Sequence, residues 1–273
     1  MSDISLMIQN ALLEDMPNGD ITTDTLFKLE TSVARFIVKA SGVISGVLVA
    51  QETFKIVDPT LEFTIYLTDG THVKKGDVIA RVFGLTSSIL KAERVALNFM
   101  QRMSGIATLT DLFVSQTIGT KTKILDTRKT TPNLRCLEKQ AVRDGGGTNH
   151  RMNLSEMVMI KDNHIQAAGS ITSAVSILKN KIDSSIKIEV EVESIEQLKE
   201  ALLTETDIIM LDNMSCSMMA ECVKINAHKK LLEASGNMTL ERVKDVALTG
   251  VDYISVGALT HSYDSLDISL KFE

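Results

Sequence analysis

Basic and imidazole side chains are concentrated between residues 126 and 164 of a chain whose net charge is −6. A cationic cluster in an acidic protein favours a small polyanionic ligand, because attraction to nucleic acid would need a basic face over much more of the surface. The cluster includes Arg128, Lys129, Arg135, Lys139, Arg143, His150, Arg151 and Lys161.

The polar sequence Lys161–His164 directly follows an apolar run. Four polar residues at a strand end are costly to bury unless they contact a ligand or one another, so we predict a functional role for them. Arg128–Lys129 offers an arginine fork and a lysine point charge for carboxylate or phosphate. Spacing alone favours two solvated cations there. For His150–Arg151, an anion-binding role and a structural role stay equally open.

Two carboxylates and two small-residue loops also follow apolar runs. Glu191 and Asp212 are suited to hold Mg²⁺ through water, although solvated acids or ion pairs with the nearby lysines stay open. Ser235–Gly236 and Gly257–Ala258 follow the last two runs. Backbone N–H groups in such loops bind phosphate in barrel enzymes, and a simple strand-to-helix turn is the alternative.

Repeated strand and helix patterns are expected to position these residues. Six apolar runs after residue 120 alternate with helical stretches, which predicts a parallel sheet and a barrel that need not be complete. Active sites of such barrels lie at the carboxyl ends of the strands, where all the candidates fall. The runs are Thr122–Leu125, Met157–Ile160, Ile186–Val190, Ile208–Leu211, Lys230–Leu232 and Tyr253–Val256.

The first part of the chain has a different pattern. A helix at Ile4–Glu14 is followed by strands at Ala34–Ala40 and Leu61–Leu67, and a longer helix is predicted at Ser87–Met103. The tail Leu266–Phe272 alternates apolar and polar residues, which predicts a strand returning to this region. We therefore predict a first domain at residues 1–103, joined by the tail 264–273, and a barrel domain at 104–263.

Composition excludes several classes of protein. No apolar run approaches membrane-spanning length, and the N-terminus has no signal-peptide pattern, so a cytoplasmic location is expected. The three cysteines form no CxxC motif, which argues against disulfides and structural zinc.

Ordered motifs run along nearly the whole chain: Glu14–Asp15, Gly19–Thr23, Glu93–Asn98, Ser104–Thr108, Asp126–His164, Glu189–Val192, Leu211–Asn213, Glu233–Gly236 and Val256–His261. Together they resemble the quinolinate phosphoribosyltransferase family, also called carboxylating nicotinate-nucleotide pyrophosphorylases. The resemblance implies an α/β fold with an N-terminal α/β sandwich and an open α/β barrel of about seven strands. That is one strand more than the apolar runs indicate, and the missing element is expected near Ser170–Asp183.

The same resemblance implies a reaction and its partners. A phosphoribosyl group passes from phosphoribosyl pyrophosphate to quinolinate with decarboxylation, giving nicotinate mononucleotide, pyrophosphate and CO₂ in NAD biosynthesis. Mg²⁺ is the implied cofactor. The implied assembly is a homodimer, or a hexamer of dimers, in which Arg94 enters the neighbouring subunit's site.

Matching motifs carry the family's site residues onto this chain. The residues implied to bind quinolinate are Arg94, Arg128, Lys129, His150, Arg151 and Lys161. Those implied to bind phosphoribosyl pyrophosphate are Lys129, Lys161, Glu191, Asp212, Ser235, Gly236, Gly257 and His261. Catalysis is implied for Lys129, Glu191 and Asp212, and the two carboxylates are implied to hold Mg²⁺ through water.

The chain departs from the family pattern at a few positions. Asn133, Asn153 and Asn237 stand where glycine is common in the family, and Gln140 stands where tyrosine is usual. Asparagine tolerates positive φ better than most residues, so its three substitutions are conformationally mild. Two other functions stay open: a paralogue of the same fold with another acceptor, and a non-catalytic phosphate-binding regulator.

Overall fold

The structure is a computed structural model that describes residues 3–273. It divides into two compact units. The first contains the described residues up to Asp111, together with Thr131–Gly146 and Ser262–Glu273, and the second contains Leu112–Thr130 and Gly147–His261.

The first elements of the chain alternate helices with short strands. They are α1 (Asp3–Asp15), α2 (Ile21–Leu26), β1 (Thr31–Val38), β2 (Gly42–Val43), α3 (Val47–Val57), β3 (Glu62–Ile65), β4 (His72–Val73), β5 (Val78–Leu85), α4 (Thr86–Ser115), β6 (Lys123–Leu125) and α5 (Arg135–Asp144). The predicted helices and strands are confirmed here, although α4 extends well beyond the predicted end at Met103. The predicted domain boundary at residue 103 falls inside this helix.

The rest of the chain alternates strands with helices. Its elements are β7 (Val158–Ile160), α6 (Asp162–Ala168), α7 (Ile171–Lys179), β8 (Ile188–Val192), α8 (Ile195–Leu202), β9 (Ile208–Asp212), α9 (Cys216–Asn226), β10 (Leu231–Ser235), α10 (Leu240–Leu248), β11 (Tyr253–Ser255), α11 (Ala258–His261) and β12 (Ile268–Phe272). Among the described residues, no helix is both long enough and apolar enough to cross a membrane.

An antiparallel sheet forms the centre of the first unit. Its strand order is β12-β1-β5-β3, and the tail strand β12 pairs with β1 from Ala34 opposite Phe272 to Val38 opposite Ile268. Buried apolar residues of α3 and α4 pack in the core of this sheet. The rings of Phe36, Phe54 and Phe63 have centroids 5.5–5.7 Å apart, so their mutual packing anchors the core.

A parallel sheet forms the centre of the second unit. Its strand order is β6-β11-β10-β9-β8-β7, and β6 and β7 are its two edges, so the open α/β barrel is confirmed. The count of about seven strands is wrong for the described residues, since this sheet has six. Residues Ile171–Lys179, in the region expected to hold the missing element, form α7.

Thr148 explains the strand discrepancy. It makes an isolated parallel bridge to Leu125 of β6, with its N–H donating to Ile124 O at 2.8 Å and its carbonyl accepting from Asp126 N at 3.2 Å. The bridge lies outside the six named strands. A single bridged residue therefore stands where a seventh strand would pair beside β6.

Candidate functional site

The carboxyl ends of the six parallel strands carry the predicted site residues of the second unit other than His150 and Arg151, which lie between α5 and β7. Parallel strands present these ends at one edge of a sheet, so the sequence prediction places the residues together. In chain order, the structure places Arg128 and Lys129 after β6, Lys161 after β7, Glu191 near the end of β8, Asp212 at the end of β9, Ser235 and Gly236 at the end of β10, and Gly257 and His261 after β11.

An ion pair joins two of these strand ends. Lys161 Nζ lies 3.0 Å from Glu191 Oε2, on the neighbouring strand β8. The lysine side chain is 48% exposed and the glutamate side chain 14% exposed, so the lysine is the partner that is accessible to solvent. Of the alternatives considered for Glu191, pairing with Lys161 is the one that the structure contains.

Lys129 and His261 pack against Gly257. A Cβ added to Gly257 would lie 2.9 Å from Lys129 Cδ and 3.1 Å from His261 Nε2, so a larger residue would displace both side chains. The backbone of Lys129 is held as well, because its N–H donates to Thr127 Oγ1 at 3.0 Å and its carbonyl accepts from Thr260 Oγ1 at 2.8 Å. A lysine and a histidine thus flank the loop predicted to bind phosphate.

The His150 ring turns inward. Its side chain is 7% exposed, and Nε2 lies 3.1 Å from Glu189 Oε2 and 3.5 Å from Glu233 Oε2. Nδ1 accepts the Arg151 N–H at 2.7 Å, which assigns the proton of a neutral ring to Nε2. The backbone N–H of His150 donates to the buried Asp126 at 2.8 Å. The ring therefore faces two buried carboxylates, and its predicted contact with quinolinate stays a prediction.

Arg151 follows His150 directly, and its guanidinium contacts the residue just before β7. Nη1 donates to Met157 O at 2.8 Å, and burial followed by the charge of Arg128 lowers the pKa of Arg151. Two guanidinium groups that repel each other are stabilised by an anion placed between them. This proximity of Arg128 and Arg151 fits their predicted role as a carboxylate clamp.

Glu189 and Glu233 form a buried acidic pair that sequence reasoning missed. Burial raises the pKa of Glu233 to about 8, assisted by the charge of Glu189, and burial also raises the pKa of Glu189 to about 7. With His150 they are the one group of three possible metal ligands found among residues 3–273. Alternation along β8 could have indicated Glu189, because residues two apart in a strand share a face and Glu189 therefore points to the same face as the predicted site residue Glu191.

Asp212 is tied to the loop after β10 through Asn213. Asn213 Nδ2 donates to Asp212 Oδ2 at 2.6 Å, and the Asn213 N–H donates to Ser235 O at 3.0 Å. Gly236 has φ +93°, and a Cβ there would lie 2.2 Å from Asn213 Oδ1. The Asn213 side chain thus occupies the space that any larger residue at 236 would need.

The asparagines that replace glycine differ in conformation. Asn133 and Asn237 adopt positive φ, at 66° and 48°, as asparagine tolerates. Asn153 is not among the described residues with positive φ. Arg94 lies exposed on α4 in the first unit, and its predicted entry into a neighbouring subunit's site stays a prediction.

Glu191 and Asp212 provide a donor set that suits Mg²⁺. They lie on the neighbouring strands β8 and β9, and both are partly exposed. Mg²⁺ keeps several waters and binds one or two carboxylates together with substrate phosphates, so these two oxygen donors fit the predicted ion.

Comparisons with known proteins agree over nearly the whole chain. Family models described as quinolinate phosphoribosyl transferase match residues 20–104 with the N-terminal domain and residues 106–271 with the C-terminal domain. The chain is 44% identical to a probable carboxylating nicotinate-nucleotide pyrophosphorylase of Synechocystis sp., covering 97% of this chain and 90% of that protein. It is 42% identical to the Bacillus subtilis protein of the same description, covering 97% and 91%.

A solved structure has the same fold. The nicotinate-nucleotide pyrophosphorylase from Francisella tularensis superimposes with a TM-score of 0.96 at 38% identity, covering 99% of this chain and 96% of that chain. The matches span both units and every strand that carries a candidate residue. The chain belongs to the quinolinate phosphoribosyltransferase family.

Proposed function

We propose that this protein transfers the phosphoribosyl group of phosphoribosyl pyrophosphate to quinolinate, with loss of CO₂ and pyrophosphate, to form nicotinate mononucleotide for NAD biosynthesis. The observation that carries the proposal is the pairing of Lys161 with Glu191 at 3.0 Å. Lys161 is proposed to contact both substrates and Glu191 the donor, so their ion pair supports one site that holds both substrates.

The cationic groups fit the acceptor. Quinolinate is a pyridine with two carboxylates, and Arg128 and Arg151 offer two guanidinium groups whose charges interact. Arginine binds carboxylate through two parallel hydrogen bonds, which fixes the orientation of the ring as well as its charge. Holding the ring nitrogen toward the ribose supplies much of the rate enhancement, because the encounter becomes effectively unimolecular.

The donor half is assigned to the remaining strand ends. The loops at Ser235–Gly236 and Gly257 take the 5′-phosphate, with Lys129 and His261 beside the second loop. Glu191 and Asp212 would hold Mg²⁺, which when bound neutralises pyrophosphate charge. As the bond from ribose C1′ to pyrophosphate breaks, positive charge develops on the ribose, and these carboxylates stabilise it.

Decarboxylation follows the transfer of the phosphoribosyl group to the ring nitrogen. Once the ring nitrogen is bonded to C1′ it is cationic, so the bond to the adjacent carboxylate breaks with its electron pair left on the ring carbon. CO₂ leaves, and the carbanion takes up a proton to give nicotinate mononucleotide. Stabilisation of that carbanion is assigned to Lys129 or Lys161, and the half-exposed Lys161 also has access to solvent protons.

One assay tests the proposal against its two alternatives. The protein is incubated with quinolinate, phosphoribosyl pyrophosphate and Mg²⁺, and nicotinate mononucleotide and CO₂ are followed together. Both products are expected in equal amounts, and nicotinate in place of quinolinate is expected to give almost none. Product from another pyridine acid alone would favour the paralogue, and binding of phosphoribosyl pyrophosphate without turnover would favour the regulator.

The same proposal includes a homodimer in which Arg94 enters the neighbouring subunit's site, and a cytoplasmic location.

A further inference from the structure

Arg242 of α10 joins the loops that follow β9 and β10. Its Nη2 donates to Met214 O at 2.7 Å, in the loop after β9. Its Nη1 donates to Gly236 O at 2.9 Å and lies 3.4 Å from Asn237 O, both in the loop after β10. One half-buried guanidinium that holds carbonyls from two loops fixes the position of each loop relative to the other.

These contacts also set the direction of the loop's N–H groups. In a planar trans peptide, the carbonyl and the following N–H point in opposite directions. Because the carbonyls of Gly236 and Asn237 turn toward Arg242, the N–H groups of Asn237 and Met238 turn away from it. Neither N–H hydrogen-bonds to another residue in the described part of the chain. Successive N–H groups in this arrangement form a concavity that binds anions.

Asn213 also contacts the loop after β10. Its Oδ1 fills the space beside Gly236, and its amide donates to the Asp212 carboxylate at 2.6 Å. The loop after β10 therefore contacts both Asn213 and Arg242. Any shift of that loop moves both the amides that face the phosphate and the amide that orients Asp212.

We propose that Arg242 is a positioning residue for the phosphoribosyl donor, which aims the N–H groups after β10 at its 5′-phosphate and keeps them in register with Asp212. The inference rests on the proposed function, because it deepens the assignment of the donor half of the site. Arg242 itself binds backbone carbonyls and does not contact substrate.

A positioning role and a general structural role predict different results. A residue that only stabilises the fold would, when replaced, lower the melting temperature and affect both substrates alike. A residue that aims the phosphate loop affects the donor selectively. The contacts of Arg242 favour the second result, since all three carbonyls belong to the loops at the ends of β9 and β10.

The kinetic test uses Arg242→Met, Arg242→Lys and the control Lys244→Met, which removes an exposed cation from the same helix. For Arg242→Met, KM for phosphoribosyl pyrophosphate is expected to rise on the order of tenfold, as for lost hydrogen bonds to a charged group. KM for quinolinate is expected to stay near the wild-type value. Arg242→Lys should recover part of the loss, and Lys244→Met should match wild type. Equal changes in both KM values, or no change in either, would overturn the inference.

A binding test separates this inference from the proposed function. Titration calorimetry with ribose 5-phosphate, without Mg²⁺, measures the phosphate loop independently of turnover. Binding is expected to weaken about tenfold in Arg242→Met and to be unchanged in Lys244→Met. If wild type binds ribose 5-phosphate but makes no nicotinate mononucleotide, the proposed reaction is wrong while this comparison still decides the role of Arg242. Equal affinity of wild type and Arg242→Met, or no binding to wild type, rejects the inference.

Discussion

Lys161 Nζ lies 3.0 Å from Glu191 Oε2, so a cation following β7 and a carboxylate on β8 form one ion pair across neighbouring strands. Lys161 is proposed to bind both substrates, and Glu191 is proposed to bind the phosphoribosyl donor. Under that proposal, loss of Lys161 would leave the Glu191 carboxylate without its cationic partner beside the reacting ribose. The pair is therefore expected to matter for turnover far more than for folding.

Replacing Lys161 tests that expectation. Lys161→Met should lower kcat/KM about 100-fold, as expected when one partner of a functional charge pair is removed. The melting temperature should change little, because partly exposed ion pairs contribute only about 0–1 kcal/mol. Lys121→Met is a matched control, because Lys121 is 49% exposed and forms an ion pair with Asp252 at 2.6 Å. Lys121 and Asp252 lie before β6 and β11, at the strand ends opposite to the predicted site. Equal loss of activity in both variants would contradict the assignment of Lys161 to the site.

Arg128 is expected to act on the acceptor. Arg128→Ala should raise KM for quinolinate by about ten- to a hundredfold, because a bidentate charge-assisted contact is lost. KM for phosphoribosyl pyrophosphate should change far less. Arg128→Lys keeps the charge and loses the fork, so its KM for quinolinate should be intermediate. Steady-state kinetics with each substrate varied in turn measures this, and an unchanged KM for quinolinate would remove Arg128 from the clamp.

The buried acidic pair predicts how stability depends on pH. Burial raises the pKa of Glu233 to about 8, well above the ordinary value of 4.5 that applies to the unfolded chain. The folded state therefore holds this proton more tightly than the unfolded state does. Its contribution to stability is fully present below about pH 4.5 and is lost as pH rises through about 8.

Glu233→Gln removes that titration while keeping the size of the side chain. The melting temperature of wild type should fall between pH 5 and about pH 8.5, and the variant should show a shallower fall. Thermal melts in buffers of constant ionic strength give the comparison. Glu193→Gln, at an exposed glutamate just past β8, serves as the control and should keep the wild-type slope. Parallel curves for wild type and Glu233→Gln would show that Glu233 is ionised throughout.

The positions of the site residues could be predicted because apolar runs mark strands and the residues that follow them mark strand ends. Lys161 and Asp212 were located in this way, one residue after each predicted run. The partners of His150 could not be found by the same reasoning. Glu189 and Glu233 lie inside strands, and alternation indicates the face that each side chain occupies but not which distant residue meets it.

The strand count failed for a related reason. Thr148 makes a single bridge to Leu125, and one residue has no periodicity that a sequence pattern could reveal. The contacts of Arg242 were hidden as well, because they are made to backbone carbonyls, which carry no residue identity. Local patterns thus predicted the elements, whereas contacts between distant segments required the structure.

A shared site is tested by mixing inactive subunits. Arg94→Ala and Lys129→Ala are each expected to be inactive, and Arg94 is exposed, so its removal should leave the fold intact. Random mixing of the two should restore about a quarter of wild-type activity, because half of the dimers are mixed and each has one intact site. Mixing Lys129→Ala with Glu191→Ala is the control. No recovery in the first mixture would mean that each subunit has a self-contained site.

Substitutions at Gly236 and Gly169 separate the cost of a positive φ from the effect of a side-chain clash. Alanine at Gly236 would adopt φ +93° and also place its Cβ 2.2 Å from Asn213 Oδ1, whereas alanine at Gly169, with φ +90°, meets nothing within 4 Å. Both changes carry the conformational cost of positive φ, roughly 1–2 kcal/mol. Only Gly236→Ala displaces the amide that donates to Asp212, so it alone should weaken ribose 5-phosphate binding and lower kcat. Calorimetry and steady-state kinetics on both variants measure the difference. Wild-type binding and turnover in Gly236→Ala would mean that the contact between Asn213 and Gly236 does not orient the donor site.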